Sequence, residues 1–412
     1  MKYGLIGEHL GHSYSREIHK MISGYDYELK ELAPDELGTF FENRSFSGIN
    51  VTIPYKQSVI PYLDEISDTA KSIGAVNTVV NRDGRLYGDN TDFAGMCALL
   101  EHAKIDVSGR KVLILGTGGT SKTAKAVMKH LNAAEIITVS RKPQSGTCTY
   151  SELKTLHSDA EIIVNTTPVG MFPKDDEAPV DLSDFPMLKG VADVIYNPLR
   201  TNLVQSTKSR NIPSEGGLYM LCAQAVYASA VFRNIPVDSS LIDMAYNMVK
   251  GEKENVVLIG MPSSGKSCVG KLVAEMTGKT FLDTDELITE RAGQKIADYI
   301  AENGEEPFRK LEREVISGLS QKSGCVIATG GGAVLSGENV QLLRRNGRLV
   351  FLDRSLEKLT PTSDRPLSSD SEKLKKLYET RYPIYRAAAD ICLEADGTPS
   401  EVASDVLKEL KQ

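Results

Sequence analysis

Short apolar runs alternate with stretches of helical periodicity along almost the whole chain. In chain order the runs are YGLIG, GINVTI, AVNTVV, KVLILG, EIITVS, AEIIVNTT, GVADVIYN, NVVLIG, VIATG and RLVFLD. Regular alternation of strands and helices is typical of α/β folds with parallel sheets. Several runs are apolar on both faces, as in strands that helices cover on each side. The pattern therefore predicts a succession of three α/β blocks.

A domain boundary is predicted at residues 250–257, KGEKENVV. There the helical stretch SLIDMAYNMV gives way to a charged, glycine-containing segment, after which a new strand begins. We expect a linker at this point and two domains, 1–250 and 253–412. A weaker boundary at about residues 93–110 divides the first domain, because helix FAGMCALLEHA leads there through DVSGR into strand KVLILG.

Composition narrows the class of protein. The chain has 412 residues, 41% hydrophobic and 25% charged, which suits a soluble protein of about two or three domains. The net charge of −7 comes from interleaved acidic and basic residues, so we expect no nucleic-acid partner. The N-terminus is too polar for a signal peptide, and no run of about 18 apolar residues predicts a membrane span. The six cysteines lack CxxC or zinc-like spacing, which favours a reducing, cytoplasmic compartment.

The clearest chemical signal is the segment Gly260–Ser267, GMPSSGKS, which follows strand NVVLI and opens helix CVGKLVAEM. This is the context of a Walker A loop, in which backbone N–H groups hold nucleotide phosphates. Lys266 would reach the terminal phosphates, the Ser267 hydroxyl would ligate Mg²⁺, and Ser263, Ser264 and Gly265 would complete the loop. The alternative is a Gly/Ser turn that precedes a helix by chance.

Further motifs follow in the second half, namely FLDTDELI, FRKLE, the triple glycine at residues 330–332, DRPL and RYPIYR. With the Walker A segment, their order and spacing resemble shikimate kinase over about residues 254–396. We place Asp283 and Asp285 at the end of a second short strand. A generic P-loop protein would share only the first motif, so the resemblance implies a P-loop kinase domain with a parallel sheet that uses ATP.

The resemblance implies roles for the residues that meet the acceptor. Arg309 and Arg381 would clamp a carboxylate, as guanidinium forks do well. Asp285 would bind the ring hydroxyls and position the one that attacks ATP. The alternative is that the two arginines are helix-surface partners of Glu312 and Glu379, as many arginines are.

Other implied roles concern the phosphates. Gly331 would let the backbone approach the substrate, Asp283 would support Mg²⁺ together with Ser267, and Arg365 would neutralise charge during phosphoryl transfer. The segment SLEKLTPTSDRPL around Arg365 is shorter than is usual in the family and lacks the arginine that commonly precedes this position. The residues that contact adenine therefore stay open.

In the first half, strand KVLILG runs into GTGGTS and helix KTAKAVMKHL, the order that dinucleotide binding requires. Ser121 replaces the third glycine of the usual GxGxxG pattern, so a structural turn in another α/β fold is the alternative. About 24 residues further, strand IITV ends in Ser140, Arg141 and Lys142, where an NAD-binding fold would place an acid. Basic groups there favour a 2′-phosphate and hence NADP(H), unless they are ordinary solvated charges.

A series of segments around this loop resembles shikimate dehydrogenase over about residues 2–248. They are GHSYS, GINVTIPYK, GAVNTV, GDNTDFAGM, NTTPVGM, DVIYNPL and GGLYMLCAQA. The resemblance implies an α/β substrate part at about 1–95 and 215–250 and a Rossmann-like NADP-binding part at about 96–214. The loop Gly116, Thr117, Gly118, Gly119 and Thr120 would bind the cofactor together with Arg141, Val194 and Gly217.

Lys56 and Asp92 match the catalytic pair of that family. Hydride delivery to a ketone needs a proton for the oxygen, and an ammonium held by a carboxylate can donate it. Taken alone, Lys56 would more simply be a surface lysine. The resemblance further implies that Ser13 and Ser15 hold the substrate carboxylate. The same resemblance assigns other polar contacts with the substrate to Thr52, Asn77, Tyr196 and Gln224.

The two resemblances imply consecutive steps: NADPH-dependent reduction of 3-dehydroshikimate to shikimate, then ATP-dependent phosphorylation of the 3-hydroxyl with Mg²⁺. The expected partners are these small molecules, and the sequence makes no prediction about oligomeric state. Two alternatives remain open. One half could be inactive and regulatory, or the second half could be a P-loop kinase for a nucleotide or gluconate.

Overall fold

The computed structural model describes residues 1–11, 13–360 and 371–410. The chain divides into two compact units, Met1–Lys250 and Gly251–Gln412. Within the described ranges, no helix is both long and apolar enough to cross a membrane.

The first unit contains two sheets. Its strands are β1 (Tyr3–Gly7), β2 (Tyr27–Glu31), β3 (Gly48–Val51), β4 (Glu65–Ile66), β5 (Thr78–Arg82), β6 (Arg85–Asp89), β7 (Lys111–Leu115), β8 (Glu135–Ser140), β9 (Cys148–Thr149), β10 (Ile162–Asn165), β11 (Gly190–Asp193) and β12 (Ser214–Glu215). Its helices are α1 (Ser15–Ser23), α2 (Glu36–Asn43), α3 (Asp68–Ile73), α4 (Thr91–His102), α5 (Gly119–His130), α6 (Tyr150–Leu156), α7 (Asn202–Ser206), α8 (Leu218–Arg233) and α9 (Ser240–Lys253), the last of which ends in the second unit.

The first sheet has the order β2-β1-β3-β5-β6-β4 and is mixed, because β5 pairs antiparallel with both β3 and β6. The expectation of parallel sheets throughout is therefore wrong for this sheet. The reason is a tight hairpin at Asp83 and Gly84, whose φ angles are 51° and 84°. An Asp-Gly pair with positive φ angles forms the two-residue turn that joins antiparallel strands.

The second sheet is parallel, with the order β12-β11-β10-β7-β8-β9. In strand β7, Val112 and Ile114 pack in one hydrophobic cluster. Leu113 and Leu115 point to the opposite face and pack in another. This confirms that the strand is covered on both faces. Strand β8 pairs with one side of β7, and β10, which comes later in the chain, pairs with the other side. The crevice at the carboxyl ends of β7 and β10 is where such a sheet binds its ligand.

The second unit is a parallel five-stranded sheet of order β14-β15-β13-β16-β17 with helices around it. Its strands are β13 (Asn255–Ile259), β14 (Thr280–Asp283), β15 (Cys325–Ala328), β16 (Gly347–Asp353) and β17 (Ile391–Glu394). Its helices are α10 (Lys266–Thr277), α11 (Thr284–Ala292), α12 (Ile296–Asn303), α13 (Glu305–Ser320), α14 (Gly337–Arg344), α15 (Ser371–Ala388) and α16 (Pro399–Leu410). The predicted P-loop α/β fold is confirmed.

The segment predicted as a linker is largely occupied by the end of a helix and the start of a strand. Helix α9 continues through Lys253 and β13 begins at Asn255, so only Glu254 lies between them. Lys279 Nζ donates to the carbonyls of Gly251, Glu252 and Glu254 at 2.8, 3.0 and 2.9 Å. A cation on the last carbonyls of a helix stabilises its C-terminus. The charged residues of the predicted linker thus include the last turn of a helix.

Candidate active sites

Lys56 and Asp92 form a short ion pair in the first unit. Lys56 lies in the loop after β3, and Asp92 lies in the first turn of α4, where the helix dipole favours a carboxylate. Lys56 Nζ is 2.6 Å from Asp92 Oδ2, and the two side chains are 19% and 11% exposed. The structure therefore brings together two groups that lie 36 residues apart in the chain. A largely buried ammonium that keeps some exposure can still reach a ligand.

Polar residues predicted to bind the substrate lie near the same helices. Asn77 Oδ1 accepts a hydrogen bond from the backbone N–H of Thr91, beside Asp92, at 2.7 Å. Gln224 on α8 packs against α4 at Gly95, where an added Cβ would lie 3.1 Å from the Gln224 Cβ. Thr52 directly follows β3, and its backbone N–H donates to Ile6 at 3.0 Å.

The start of α1 carries Ser13 and Ser15, and the Ser15 N–H donates to Ser13 Oγ at 3.2 Å. Between them, Tyr14 packs its ring 5.6 Å from that of Tyr196. Burial raises the pKa of the Tyr196 hydroxyl. In the part of the chain that the structure describes, neither serine hydrogen-bonds to Lys56 or Asp92.

The glycine loop after β7 has the geometry of a phosphate-binding turn. Gly116 has a φ of 107°, and an added Cβ would lie 3.0 Å from both Thr166 Oγ1 and Thr167 Cγ2. Only glycine suits both conditions. Gly118 is the N-cap of α5, whose first two residues are Gly119 and Thr120. Unpaired N–H groups at such a helix start attract anions.

Arg141 and Val194 lie at the same sheet edge as this loop, on opposite sides of it. Arg141 is exposed and directly follows β8, and the Gly116 N–H donates to Val139 of β8 at 2.9 Å. Val194 follows β11 on the other side, and its carbonyl lies where a Cβ on Gly217 would have to be. The residues predicted to bind the cofactor thus line the carboxyl ends of neighbouring parallel strands.

The loop after β13 folds around its own lysine. Lys266 Nζ is buried and donates to the carbonyls of Gly260 and Met261 at 2.9 and 2.7 Å. Ser263 and Gly265 have φ angles of 64° and 90°. Ser264 is buried within the same loop. The loop leads directly into α10, as a phosphate-binding loop requires.

Ser267 and Asp283 are in direct contact. Ser267 Oγ donates to Asp283 Oδ2 at 2.6 Å. Across the described ranges, no group of three or more His, Cys, Asp or Glu side chains could hold a metal by itself. A hydroxyl and a carboxylate beside a phosphate loop nevertheless suit Mg²⁺, which takes few protein ligands together with phosphate oxygens and water.

The triple glycine meets the predicted acceptor residues. A Cβ on Gly330 would lie 2.5 Å from Asp285 Oδ1, and one on Gly332 would lie 2.5 Å from Arg309 Nη1. The Gly331 carbonyl accepts a hydrogen bond from Arg381 Nη1 at 2.9 Å. These contacts place Asp285 and both arginines around one segment.

Two details differ from the sequence-based expectation. β14 ends at Asp283, and Asp285 lies in the first turn of α11, where its N–H donates to Asp283 Oδ1 at 2.9 Å. Arg309 does pair with Glu312, at 2.9 Å, as its alternative interpretation held. That pairing accompanies the contact with Gly332 and does not replace it. Arg365 lies outside the described residues.

Comparisons with known proteins identify the family to which each half of the chain is similar. A family model described as the shikimate dehydrogenase substrate binding domain matches residues 5–79, and the shikimate kinase model matches residues 262–411. A shikimate dehydrogenase (NADP(+)) of Clostridium beijerinckii is 37% identical over 268 residues, which cover 61% of this chain and 98% of the relative. The chain belongs to the shikimate dehydrogenase family and carries a shikimate kinase domain. We call Met1–Lys250 the dehydrogenase unit and Gly251–Gln412 the kinase unit.

Solved structures resemble the dehydrogenase unit. Shikimate dehydrogenase 1 from Peptoclostridium difficile has 36% identity and a TM-score of 0.56, covering 61% of this chain and 98% of that one. A Thermus thermophilus shikimate 5-dehydrogenase, solved with NADP(H) and shikimate, has 27% identity and a TM-score of 0.54, with coverages of 60% and 99%.

Sequence reasoning missed several polar residues at these sites. In the dehydrogenase unit, Ser121 Oγ donates to the Gly116 carbonyl at 2.7 Å, so the residue that breaks the glycine pattern ties the turn to its helix. Asp193 and Asn165 lie at the ends of two buried strands and hydrogen-bond to each other. In the kinase unit, burial raises the pKa of Glu312, the partner of Arg309. A polar residue that ends an apolar run was the available signal for Asn165 and Asp193.

Proposed function

We propose that the dehydrogenase unit reduces 3-dehydroshikimate with NADPH and that the kinase unit phosphorylates the resulting shikimate at its 3-hydroxyl with ATP. The observation that carries the proposal is the presence, in one chain, of the Lys56–Asp92 ion pair and of the loop holding Lys266. Each supplies the charged group that its reaction needs. The product of the first reaction is the substrate of the second.

In the reduction, NADPH when bound supplies the hydride for the ketone carbon. Lys56 Nζ donates the proton to the ketone oxygen and stabilises the negative charge that develops on it. Asp92 orients the ammonium through their 2.6 Å contact. Polar side chains hold the carboxylate and hydroxyls of the substrate. They are Ser13, Ser15, Thr52, Asn77, Tyr196 and Gln224.

The nicotinamide cofactor fits the crevice at the carboxyl ends of the second sheet. The glycine turn and the start of α5 offer N–H groups to the pyrophosphate. Arg141 lies on the β8 side, where its guanidinium pairs with a 2′-phosphate and so favours NADPH over NADH. Val194 and Gly217 lie on the β11 side and face the other half of the cofactor.

In the phosphorylation, Lys266 leaves the Gly260 and Met261 carbonyls and pairs with the phosphates of ATP. Mg²⁺, when bound, neutralises charge on these phosphates, and Ser267 and Asp283 are the residues that hold it. Asp285 positions the acceptor hydroxyl. Arg309 and Arg381 bind the substrate carboxylate beside the Gly331 backbone, and Arg365 neutralises charge on the transferred group.

The two alternatives have less support. A regulatory half without turnover would have no need of Lys266 in a phosphate loop or of Asp285 beside the triple glycine. A nucleotide acceptor is disfavoured because Arg309 and Arg381 converge on one glycine segment, which suits a compact carboxylate. Gluconate also carries a carboxylate, so ADP formation with gluconate in place of shikimate is the measurement that tests that acceptor.

A coupled assay of the full chain tests the proposal. With 3-dehydroshikimate, NADPH, ATP and Mg²⁺, NADPH oxidation and ADP formation should both proceed. Omitting ATP should leave NADPH oxidation unchanged, and omitting NADPH should stop ADP formation unless shikimate is added. Failure of added shikimate to produce ADP would refute the kinase half, and failure of 3-dehydroshikimate to oxidise NADPH would refute the dehydrogenase half.

A further inference from the structure

A buried carboxylate lies at the edge of the dehydrogenase cofactor crevice and has no place in the reaction described above. Asp193 ends β11 and has no exposed surface. Its Oδ2 accepts from Thr201 Oγ1 at 2.7 Å, and its Oδ1 accepts from the Ile195 N–H at 3.1 Å and from Asn165 Nδ2 at 3.0 Å. All of these donors are neutral. Burial raises the pKa of Asp193 to about 6.

One set of contacts leads from Asp193 to the glycine turn. Asn165 ends the neighbouring strand β10, in register with Asp193. Its Oδ1 accepts from the N–H and the hydroxyl of Thr167 at 3.0 and 2.7 Å. Thr167 is one of the two residues against which Gly116 packs. The orientation of Asn165, and through it that of Thr167, therefore depends on the carboxylate.

A second set leads from Asp193 to the start of α8. The Ile195 N–H that Asp193 holds belongs to the segment Val194–Tyr196, which carries two of the proposed ligand contacts. The Ile195 carbonyl in turn accepts from the Gly217 N–H at 2.8 Å. Gly217 is the N-cap of α8, the helix that bears Gln224. The same carboxylate thus contacts both segments, Asn165–Thr167 and Val194–Tyr196, on the side of the crevice remote from Arg141.

We propose that Asp193 is a positioning residue of the dehydrogenase reaction, which locks Asn165–Thr167 and Val194–Tyr196 to each other and so shapes the part of the cofactor site remote from Arg141. The inference rests on the proposed NADPH-dependent reduction. It predicts a particular pattern of effects. Because the ribose 2′-phosphate binds on the β8 side, loss of Asp193 should weaken NADPH and NADH alike.

The test compares variants of the full chain. Asp193→Ala should raise KM for NADPH about tenfold or more, the effect of losing one hydrogen bond to a charged group, with a fall in kcat. KM for NADH should rise by the same factor, so that the preference between the two cofactors is unchanged. Asp193→Asn keeps an acceptor for Ile195 and a partner for Thr201, so it should recover most of the loss.

The matched control is Asp181→Ala. Asp181 Oδ1 accepts from the N–H of Ser183, also two residues ahead, at 2.9 Å, but Asp181 is exposed and lies away from the strand ends. Its removal should leave both KM values unchanged. If Asp193→Ala does not fold, Thr201→Val removes the hydroxyl donor to Oδ2, together with the cap that this hydroxyl forms with the Val204 N–H of α7, and should produce the same pattern in weaker form.

The outcomes distinguish failure of the positioning role of Asp193 from failure of the proposed reduction. A folded Asp193→Ala protein with normal KM for NADPH, or with an altered NADPH-to-NADH preference, would overturn the positioning role. A lower kcat with unchanged KM would also overturn it, because that result indicates only a smaller folded fraction. Wild-type protein that does not reduce 3-dehydroshikimate would instead refute the proposed function, whatever the variants do.

Discussion

The two units hold their proposed catalytic lysines in opposite ways. In the dehydrogenase unit, Lys56 meets Asp92 across 36 residues of chain, so the ion pair exists only when the loop after β3 lies against α4. In the kinase unit, Lys266 contacts carbonyls five and six residues before it, within one loop. The first arrangement depends on the fold of the whole unit, and the second depends mainly on the local path between a strand and a helix.

This difference explains what each lysine does without ligands. Lys56 already has a carboxylate partner and needs only a substrate to accept its proton. Lys266 has neutral carbonyl partners, which a nucleotide phosphate would replace with a stronger, charged acceptor. The kinase lysine must therefore change its contacts on binding, whereas the dehydrogenase lysine can keep them.

The largest effect is expected for Lys56, whose ion pair with Asp92 depends on the tertiary fold. Lys56→Ala should lower the dehydrogenase kcat by about 10²- to 10⁴-fold, the usual contribution of a positioned proton donor. Kinase turnover with added shikimate should be unchanged in the same preparation. Lys71→Ala, at an exposed lysine of the same unit that pairs with Asp68, serves as control. A normal dehydrogenase kcat in Lys56→Ala would exclude the proton-transfer role.

A somewhat smaller effect is expected for Lys266, whose contacts lie within its own loop. Lys266→Ala should lower kinase kcat by about 10²- to 10³-fold, because one preorganised charge on the phosphates is lost. NADPH oxidation with 3-dehydroshikimate should not change. Equal loss of both activities in a folded protein would contradict the assignment of the two lysines to separate sites.

Arg141→Ala should lower the preference for NADPH over NADH and leave the reduction itself intact. One charge-assisted hydrogen bond to a 2′-phosphate accounts for about a 10- to 150-fold preference for NADPH over NADH. We expect the lower end of this range, since Ser145 stands where the family often has a second basic residue. Measuring kcat/KM for both cofactors decides the point. Equal use of the two by the wild type would discard the role, as would an unchanged ratio in the variant.

The smallest expected effect is that of cutting the chain. Fragments 1–250 and 251–412 should each fold and keep their activity, because each contains complete sheets and its own lysine site. The cut leaves Gly251, Glu252 and Glu254 with Lys279, which binds their carbonyls. If neither fragment is soluble or active while the full chain is both, at least one unit needs the other to complete its core.

Sequence patterns were informative where a signal was contiguous. Apolar runs predicted strands in each of the three sheets, and the Walker A segment identified its loop. Six further strands were not predicted, because they are short or polar: β2, β4, β6, β9, β12 and β17. The antiparallel pairing of β5 with β6 was missed although Asp83 and Gly84 are typical of a hairpin turn. The segment after the turn, RLYGD, contains no apolar run and was not predicted as a strand. The helical conformation of residues 251–253 in the predicted linker was not foreseen, since the backbone contacts of Lys279 cannot be seen in a charge pattern.

The candidate sites show the same limit. Lys56 and Asp92 were paired by family resemblance, and no local pattern joins them. Asp193 and Asn165 were not assigned any role, and Glu312 was considered only as a surface partner of Arg309, because a polar residue at the end of a strand or on a helix is usually solvated. Their importance comes from burial and mutual hydrogen bonds, which are properties of the assembled structure.

The triple glycine has a consequence for how this chain can vary. Added Cβ atoms would press Gly330 against the Asp285 carboxylate, Gly331 against Pro262, and Gly332 against the Arg309 guanidinium. Loops normally vary more than the elements that they connect. In this loop, however, each single substitution displaces a different neighbour, so no one compensating change elsewhere can restore all three positions. Two of the displaced groups, the ends of Asp285 and Arg309, are proposed to bind the acceptor, so moving them would disturb phosphorylation. The segment should therefore change slowly in any lineage that retains this activity.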